Sequence, residues 1–394
     1  MNLKRYIVSS MLISLCGIGS AVAAVSPEQA ARLQGNLTPL GGERAGNADG
    51  SIPAWNGGFT KAVPGPSVGD IPTALVADEK PVLRIDASNL QQYRDKLSEG
   101  TIALIAPAGP AALDVEKAGQ WMRARGYDLR IYPGVYERDG YLAGSDAVRL
   151  RDLHAAFANP DIDAILCLRG GYGTPRLLDA LDFDLLRANP KPFVGYSDIT
   201  ALHLAINRYA GFVTFHGPML NADLLGGKQQ PTESSLFSLL RGQLGAGNVL
   251  AHPAAYPLTT IEPGIACGRL LVGNLSMIAA IMGTPYEIDA EGIILFIEDV
   301  NEPLYRIDRL LTHLRLAGKL AQVAGVLVGD VAGVDNVALE RLLKQPFEPL
   351  CIPVLAGWRS GHCDPNLTLP MGALVRLDAG EQQLVLEQGV VFNH

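Results

Sequence analysis

Residues 191–210 read KPFVGYSDITALHLAINRYA. Pro192 to Tyr196 is a β-favouring run, and it reaches Ser197 just where an amphipathic, helix-period pattern begins. A serine at that junction has two readings. It caps the helix, with Asp198 near the positive end of the helix dipole. Or its hydroxyl is a nucleophile, projected by a sharp strand-to-helix turn toward the same point as the free N–H groups of the helix. The local residues leave both open.

The alternation of strand and helix continues on either side of this stretch. TIALIAPAG, from Thr101, is a buried strand and a turn, and ALDVEKAGQWMRARG is a helix closed by Gly126. YDLRIYPGV is a second strand, SDAVRLRDLHAAFANP a helix capped by Ser145 or Asp146, and DAILCLRGGYG a third strand ending in glycines. KPFVGY, a helix over Asp198–Ala210 and GFVTFHGP extend the series. This spacing predicts a parallel sheet covered on both faces. After Pro218 the pattern loosens, and the polar, Gly-containing NADLLGGKQQPTESS suits a domain boundary. Beyond it GRLLVGN, GIILFIEDV, VAGVLVGDV, CIPVLAGW and ALVRLDAGEQQLVLEQG, with helices at YRIDRLLTHLRLAG and NVALERLLKQ, read as a second α/β or strand-rich domain.

At 394 residues the chain is long enough for two domains, each with its own core. Hydrophobic content of 48% with 18% charged residues is the composition of a folded protein. A net charge of −8 argues against general nucleic-acid binding, which needs a basic face. Residues 1–23 have the parts of a secretory signal: Lys4 and Arg5, the apolar run Ile7 to Ile18, and Ala21-Val22-Ala23 as cleavage site. That run is short for a membrane span, which takes about 20 residues. Residues 24–100 are rich in Gly, Pro, Asn and Ser and read as a largely irregular leader. Cys16 would leave with the signal. Cys167, Cys267, Cys351 and Cys363 show no C-x-x-C or zinc spacing and read as buried thiols, as in a cytoplasmic enzyme.

In open α/β sheets functional groups gather at the carboxyl ends of the strands. Four segments end strands in this way: Arg169–Gly173 (RGGYG), Gly195–Asp198 (GYSD), Phe296–Asp299 (FIED) and Gly357–Asn366 (GWRSGHCDPN). Ser197 does not match the G-x-S-x-G elbow of α/β-hydrolases, because Ile199 replaces the last glycine. Gly170 and Gly171 form either a tight turn or a source of bare N–H groups for an oxyanion. Glu298 and Asp299 close an apolar strand, where two carboxylates are costly to bury without partners. They orient a base, bind a cation, or pair with Arg306 or Arg309. Of seven histidines His362 has the most site-like setting, in a Gly-, Asp- and Asn-rich loop. His216 is a candidate pocket residue, and His154, His203 and His313 read as packing or surface residues. Cys363 is a rival nucleophile, disfavoured because neighbours on an extended loop point in opposite directions. Together these segments supply nucleophile, acid and base in the chain order Ser, Glu, His.

IAPAGP (Ile105 to Pro110), YLAGSDAVRLRDLHAAF, LRGGYG, VGYSDIT, FHGP, LFIEDVNEPLYRIDR and GHCDPNLTLPMG resemble, in order and spacing, the LD-carboxypeptidases, the murein tetrapeptide carboxypeptidase family of serine peptidases. The resemblance covers residues 101–394. It implies Ser197 as nucleophile, Glu298 as acid and His362 as base, with an oxyanion hole from the Asp198 amide and that of Gly170 or Gly171. The implied fold is a flavodoxin-like N-terminal domain (101–225), a linker (226–262) and a smaller barrel-like C-terminal domain (263–394), with the site in the cleft between them. The implied reaction removes the terminal D-alanine from a muropeptide tetrapeptide at diaminopimelate, without metal or other cofactor, in a homodimer. Glu302 and Arg306 are candidates for recognising diaminopimelate.

PLGGERAGNADGSIPAWNGGFT and YRDKLSEG are similar to the start of a family of uncharacterised exported Gram-negative envelope proteins. The chain therefore reads as an export leader fused to a peptidase near Gly100. The leader implies the periplasm, whereas the peptidase family and its free cysteines imply the cytoplasm. Two other functions compete. One is an immunity-type hydrolase of peptide-nucleotide antibiotics from the same family, for which no aromatic insertion to stack a base is visible. The other is a non-catalytic muropeptide-binding envelope protein, which has no need of Ser197, Glu298 and His362 together.

Overall fold

The computed structural model describes residues 31–32, 35–36, 44–46, 54–55 and 100–390. The residues read as a signal, and most of those read as a leader, lie outside the described residues. The chain divides into two compact units, Met1–Asp86 and Ala87–His394. In the first, the Trp55 N–H donates to the Arg44 carbonyl at 2.8 Å, and the Arg44 guanidinium stands 4.7 Å from the Trp55 ring centre. The second holds both sheets.

The first sheet begins with β1 (Gly100–Ile105), β2 (Tyr127–Ile131), β3 (Ala164–Cys167), β4 (Phe193–Gly195) and β5 (Thr214–His216), in the order 2-1-3-4-5 and parallel throughout. The alternating pattern predicts the parallel sheet, and the order is the flavodoxin-like one that the family resemblance implies. Centre and edge differ as the residues dictate. All of β3 is buried, whereas edge strand β2 alternates half-buried Tyr127, Leu129 and Ile131 with exposed Asp128 and Arg130. Helix α1 (Val115–Arg123) is capped by the Asp114 carboxylate. Helix α2 (Asp146–Ala158) is capped by Ser145, whose hydroxyl accepts from the Val148 N–H. Helix α3 (Phe183–Ala188) precedes β4. The helix expected over Asp198–Ala210 is three pieces: a 3₁₀ turn Ser197–Ile199, α4 (Thr200–Ala205) and a π turn Ile206–Ala210.

The later strands are β6 (Thr259–Glu262), β7 (Ile265–Asn274), β8 (Ile294–Val300), β9 (Gly325–Ala332), β10 (Val354–Ala356), β11 (Leu369–Met371), β12 (Leu374–Asp378) and β13 (Gln383–Leu386). All but β11 form a second, curled half-barrel sheet in the order 13-12-7-8-9-10-6, with β7 to β10 parallel and the flanks antiparallel. β11 instead crosses to the first sheet and pairs antiparallel with β5, Leu369 opposite His216 and Met371 opposite Thr214. One buried cluster accordingly joins Leu104, Leu166 and Phe215 to Leu270, Phe296 and Leu369.

Two expectations need revision. Residues 226–262, read as a linker, hold α5 (Thr232–Leu240) and β6. The helix is anchored by buried Leu236, Phe237 and Leu239, with Phe237 stacked on Tyr127 at 5.2 Å and Glu233 paired with Arg125 at 2.6 Å. Nor are the four described cysteines all buried: Cys167 and Cys363 are, but Cys267 and Cys351 are exposed. Cys267 stands on the outward side of the first half of β7, and Cys351 ends a surface 3₁₀ turn. Among the described residues no helix is long and apolar enough to cross a membrane.

Because β11 fastens the two sheets together, Leu369→Ala should cost about 2–5 kcal/mol of stability. Denaturant unfolding should still show one transition for residues 100–390, seen alike by far-UV dichroism and tryptophan fluorescence. Two resolved transitions would contradict a shared core.

Candidate active site

Ser197 follows β4 by two residues, and its backbone is left-handed, with φ of 66°. For a residue with a Cβ this conformation costs roughly 1–3 kcal/mol. Its surroundings hold it there. On the strand side, the Gly195 carbonyl accepts a hydrogen bond from His203 Nε2 at 2.8 Å. Nδ1 of the same ring then accepts from the Thr214 hydroxyl at 2.9 Å, because a carbonyl partner requires the proton on Nε2. On the helix side, the Asp198 carboxylate accepts from the Thr174 N–H at 2.9 Å, and the Thr174 hydroxyl donates to the Asp198 carbonyl at 2.5 Å. Burial raises the Asp198 carboxyl pKa, with these Thr174 bonds pulling the other way. Gly170 closes the third side: a Cβ there would lie 2.9 Å from Ser197 Cβ, so only glycine allows the approach. Ser197 is the first residue of its 3₁₀ turn, whose N-cap is Tyr196, and its Oγ faces His362 Nε2. Of the two readings, the projected hydroxyl is the one observed.

The hydroxyl meets His362. Ser197 Oγ is 3.2 Å from His362 Nε2, and His362 Nδ1 is 2.7 Å from Glu298 Oε2. The carboxylate can only accept, so Nδ1 carries the proton and the Nε2 lone pair faces the serine. Glu298 lies at the end of β8 with 0% exposure, and its Oε2 also accepts from the His362 backbone N–H at 3.3 Å. The loop that delivers His362 is built around this carboxylate. Gly361, at φ of 109°, would place a Cβ 2.4 Å from Glu298 Oε2, and its N–H is held by Asn366 Oδ1 at 2.9 Å. Burial by itself lowers the His362 pKa, but the hydrogen bond and charge of Glu298 outweigh it and the net shift is upward.

Asp299, the second carboxylate of that strand end, turns to the other side. It binds the Ser276 N–H and hydroxyl at 2.9 and 2.8 Å and Asn274 Nδ2 at 3.1 Å, and so fixes the start of α6 (Leu275–Ala280). The ion pair with Arg306 or Arg309 does not form with either carboxylate. Arg306 pairs instead with Glu302 at 3.2 Å, at the head of α7 (Leu304–Leu316), so these two candidate recognition residues occupy each other. Cys363 is no rival nucleophile: burial pushes its thiol up to about 12, and Sγ points to the Pro365 carbonyl at 3.1 Å. His216 is fully buried behind Tyr196 and Phe296, and burial pushes its pKa well down.

Sequence reading missed a network beside the imidazole. The Tyr196 ring packs edge-on against His362 at 4.9 Å, and its hydroxyl donates to Asp223 Oδ1 at 3.2 Å. The Asp223 carboxylate is buried, accepts from the Met219 N–H at 2.7 Å, and pairs with Lys228 Nζ at 2.5 Å. The available signal was an aspartate inside the apolar run LNADLL, which needs a partner if buried. Gly170, which abuts the serine, has its carbonyl held by the Gly109 N–H at 3.1 Å. Among the described residues no group of His, Cys, Asp and Glu could hold a metal ion. An acceptor ring aimed at a strained hydroxyl, backed by a buried carboxylate, can carry out acyl transfer through a covalent serine ester.

Comparison with known proteins agrees with this chemistry. Residues 102–217 match the LD-carboxypeptidase N-terminal domain, and residues 267–377 match the LD-carboxypeptidase C-terminal domain. The probable murein peptide carboxypeptidase of Bacillus subtilis (strain 168) is 39% identical over 307 residues, 76% of this chain and 95% of that protein. The murein tetrapeptide carboxypeptidase of Pseudomonas aeruginosa is 35% identical over 294 residues, 71% of this chain and 94% of that protein. Among solved structures, the muramoyltetrapeptide carboxypeptidase from Oxalobacter formigenes superposes with a TM-score of 0.62 at 31% identity, covering 72% of this chain and 97% of that one. The microcin C7 self immunity protein MccF superposes with a TM-score of 0.67 at 26% identity, covering 74% and 97%.

The raised His362 pKa has a testable sign. The ring accepts a proton only when neutral, so labelling of Ser197 by a fluorophosphonate should climb with pH through a midpoint above 6.5. In Glu298→Gln burial persists without the counter-charge, and the midpoint should fall below that of the parent. A labelling rate that is flat between roughly pH 5 and 8, or identical in the two proteins, would contradict the arrangement.

Proposed function

The chain belongs to the LD-carboxypeptidase family, and on that premise we propose that it is a serine carboxypeptidase that removes the terminal D-alanine from muropeptide tetrapeptides. The observation that carries the proposal is the unbroken chain Ser197 Oγ, His362 Nε2, His362 Nδ1, Glu298 Oε2, at 3.2 and 2.7 Å, assembled from both halves of the fold. His362 Nε2 takes the Ser197 proton as Oγ bonds to the carbonyl carbon of diaminopimelate. The carbonyl π electrons move to oxygen, where the N–H of Asp198 and one from the Gly170–Gly171 pair donate. The Asp198 N–H, second in its 3₁₀ turn, has no intrahelical acceptor and is available for this. On collapse the C–N bond breaks, His362 returns the proton to the leaving amine, and D-alanine departs. Water, deprotonated by the same nitrogen, then cleaves the ester and restores Ser197. Glu298 holds the ring and stabilises its imidazolium form through both steps.

The likeness to the microcin immunity protein supports a second reading, hydrolysis of a peptide-nucleotide antibiotic by the same triad. A muropeptide-binding protein without catalysis would be a poor use of a strained serine. For substrate contacts, we assign Glu302, two residues beyond β8, and its partner Arg306, in the first turn of α7, to diaminopimelate recognition. The family resemblance supports a homodimer. The charged start, apolar run and A-x-A of residues 1–23 support export to the periplasm, with the leader as a fused envelope-protein segment.

Ser197→Ala should abolish loss of one alanine from tetrapeptide muropeptides, read by mass spectrometry, while leaving far-UV dichroism unchanged. Glu298→Gln should lower kcat by roughly 10³–10⁴-fold. Unchanged turnover in Ser197→Ala would eliminate the mechanism, and release of nucleoside from a peptidyl nucleotide with intact muropeptides would favour the immunity reading. For export, fractionation should recover a chain starting near Ala24 from the periplasm; full-length cytosolic protein alone would refute it.

A further inference from the structure

A carboxypeptidase must tell a chain end from a chain interior, and the group that marks the end is a free carboxylate. Only one residue, at most about 3.6 Å of chain, separates the scissile carbonyl carbon from that carboxylate carbon. The receiving cation must therefore stand beside the catalytic ring. The triad, the glycine turn and the Asp198 amide supply none.

Resting on the carboxypeptidase reading, we propose that Lys228 is the residue that receives the substrate's terminal carboxylate, held in place by Asp223 and Tyr196. Its Nζ stands 5.7 Å from the Tyr196 ring centre, and that ring packs on His362 at 4.9 Å, so the ammonium is one tyrosine ring away from the imidazole. Its positive charge reaches the site electrostatically, opposing protonation of His362. Asp223 fixes it: this buried carboxylate also binds the Tyr196 hydroxyl and the Met219 N–H, so Lys228 approaches an anchored partner. An ammonium has three N–H donors, and Asp223 engages one edge of it. The side chain keeps 18% of its surface open to solvent, enough for a ligand to reach the rest.

Other nearby cations are committed elsewhere. Arg359 is bound to Asp330 at 3.0 Å and to the Asp364 carbonyl at 2.8 Å, and is stacked on Tyr256. Arg149 is enclosed by the Pro107 carbonyl and Asp146. Arg169 is exposed and turned toward the Pro110 carbonyl. The assigned contact is a charge-assisted hydrogen bond, for which truncation costs roughly 10- to 100-fold in affinity.

The experiment compares two tetrapeptide muropeptides, one ending in D-alanine and one in D-alaninamide, on the wild type and on Lys228→Met. The wild type should prefer the free acid by roughly 10- to 100-fold in kcat/KM, chiefly through KM. Lys228→Met should lose that preference, its rate on the acid falling to the rate on the amide, while fluorophosphonate labelling of Ser197 persists. Lys228→Arg keeps the charge and should retain most of the preference, which also serves if the methionine variant fails to fold. A preference for the acid that survives in Lys228→Met, is lost equally in Lys228→Arg, or is missing from the wild type would overturn the assignment alone. No turnover of either peptide by the wild type would sink the carboxypeptidase reading and this assignment with it.

Discussion

A carboxylate with no solvent exposure, at the end of an apolar strand, is the constraint around which this molecule is organised. Removing the Glu298 charge from water costs several kcal/mol unless a partner compensates. The partner is His362, which arrives on a loop 64 residues later, and the imidazole in turn meets Ser197 on the opposite sheet. The bare glycine at 361, the side-chain clamp of Asn366 and the crossing of β11 all serve to bring that ring to that charge. Breaking the pair would leave an uncompensated buried anion, so the meeting of the two sheets is shaped as much by electrostatics as by packing.

The strands of both sheets were legible because their apolar runs are bounded by glycine, proline and polar turns, and four of them end in reactive side chains. The role of Ser197 was legible through the family resemblance but not from its own neighbourhood. A cap and an elbow use the same strand-to-helix junction, and they differ only in where the hydroxyl points. That direction is set by Gly170, Thr174 and His203, all distant in sequence or read as filler. Glu298 and Asp299 looked equivalent, since adjacent residues of a strand differ only in the face they choose. Their division into a partner for His362 and an anchor for Ser276 needs the whole second sheet. Helix α5 stayed hidden because its flanks, GGKQQP and RGQLGAG, carry turn residues at both ends of a short apolar patch.

The strain at Ser197 is localised. Its left-handed backbone is held on three sides, by the His203 bond to Gly195, the Asp198–Thr174 pair and the Gly170 contact. Each support comes from a different element, so no single substitution releases it fully. The scaffold itself does not choose the substrate. Carboxypeptidase and immunity proteins superpose on this chain about equally, with TM-scores of 0.62 and 0.67. A shared fold and triad leave specificity to the side chains that ring the cleft, where function is decided residue by residue.

The crossing of β11 has a temporal consequence. Ribosomes make the chain from its amino end, so the sheet carrying the nucleophile waits with its β5 edge unpaired until Leu369 to Met371 emerge. By then both other members of the triad have been translated. A nascent chain cut before His362 lacks both the base and the strand that closes the first sheet, and the two emerge within ten residues of each other, so hydrolytic competence comes late in biosynthesis.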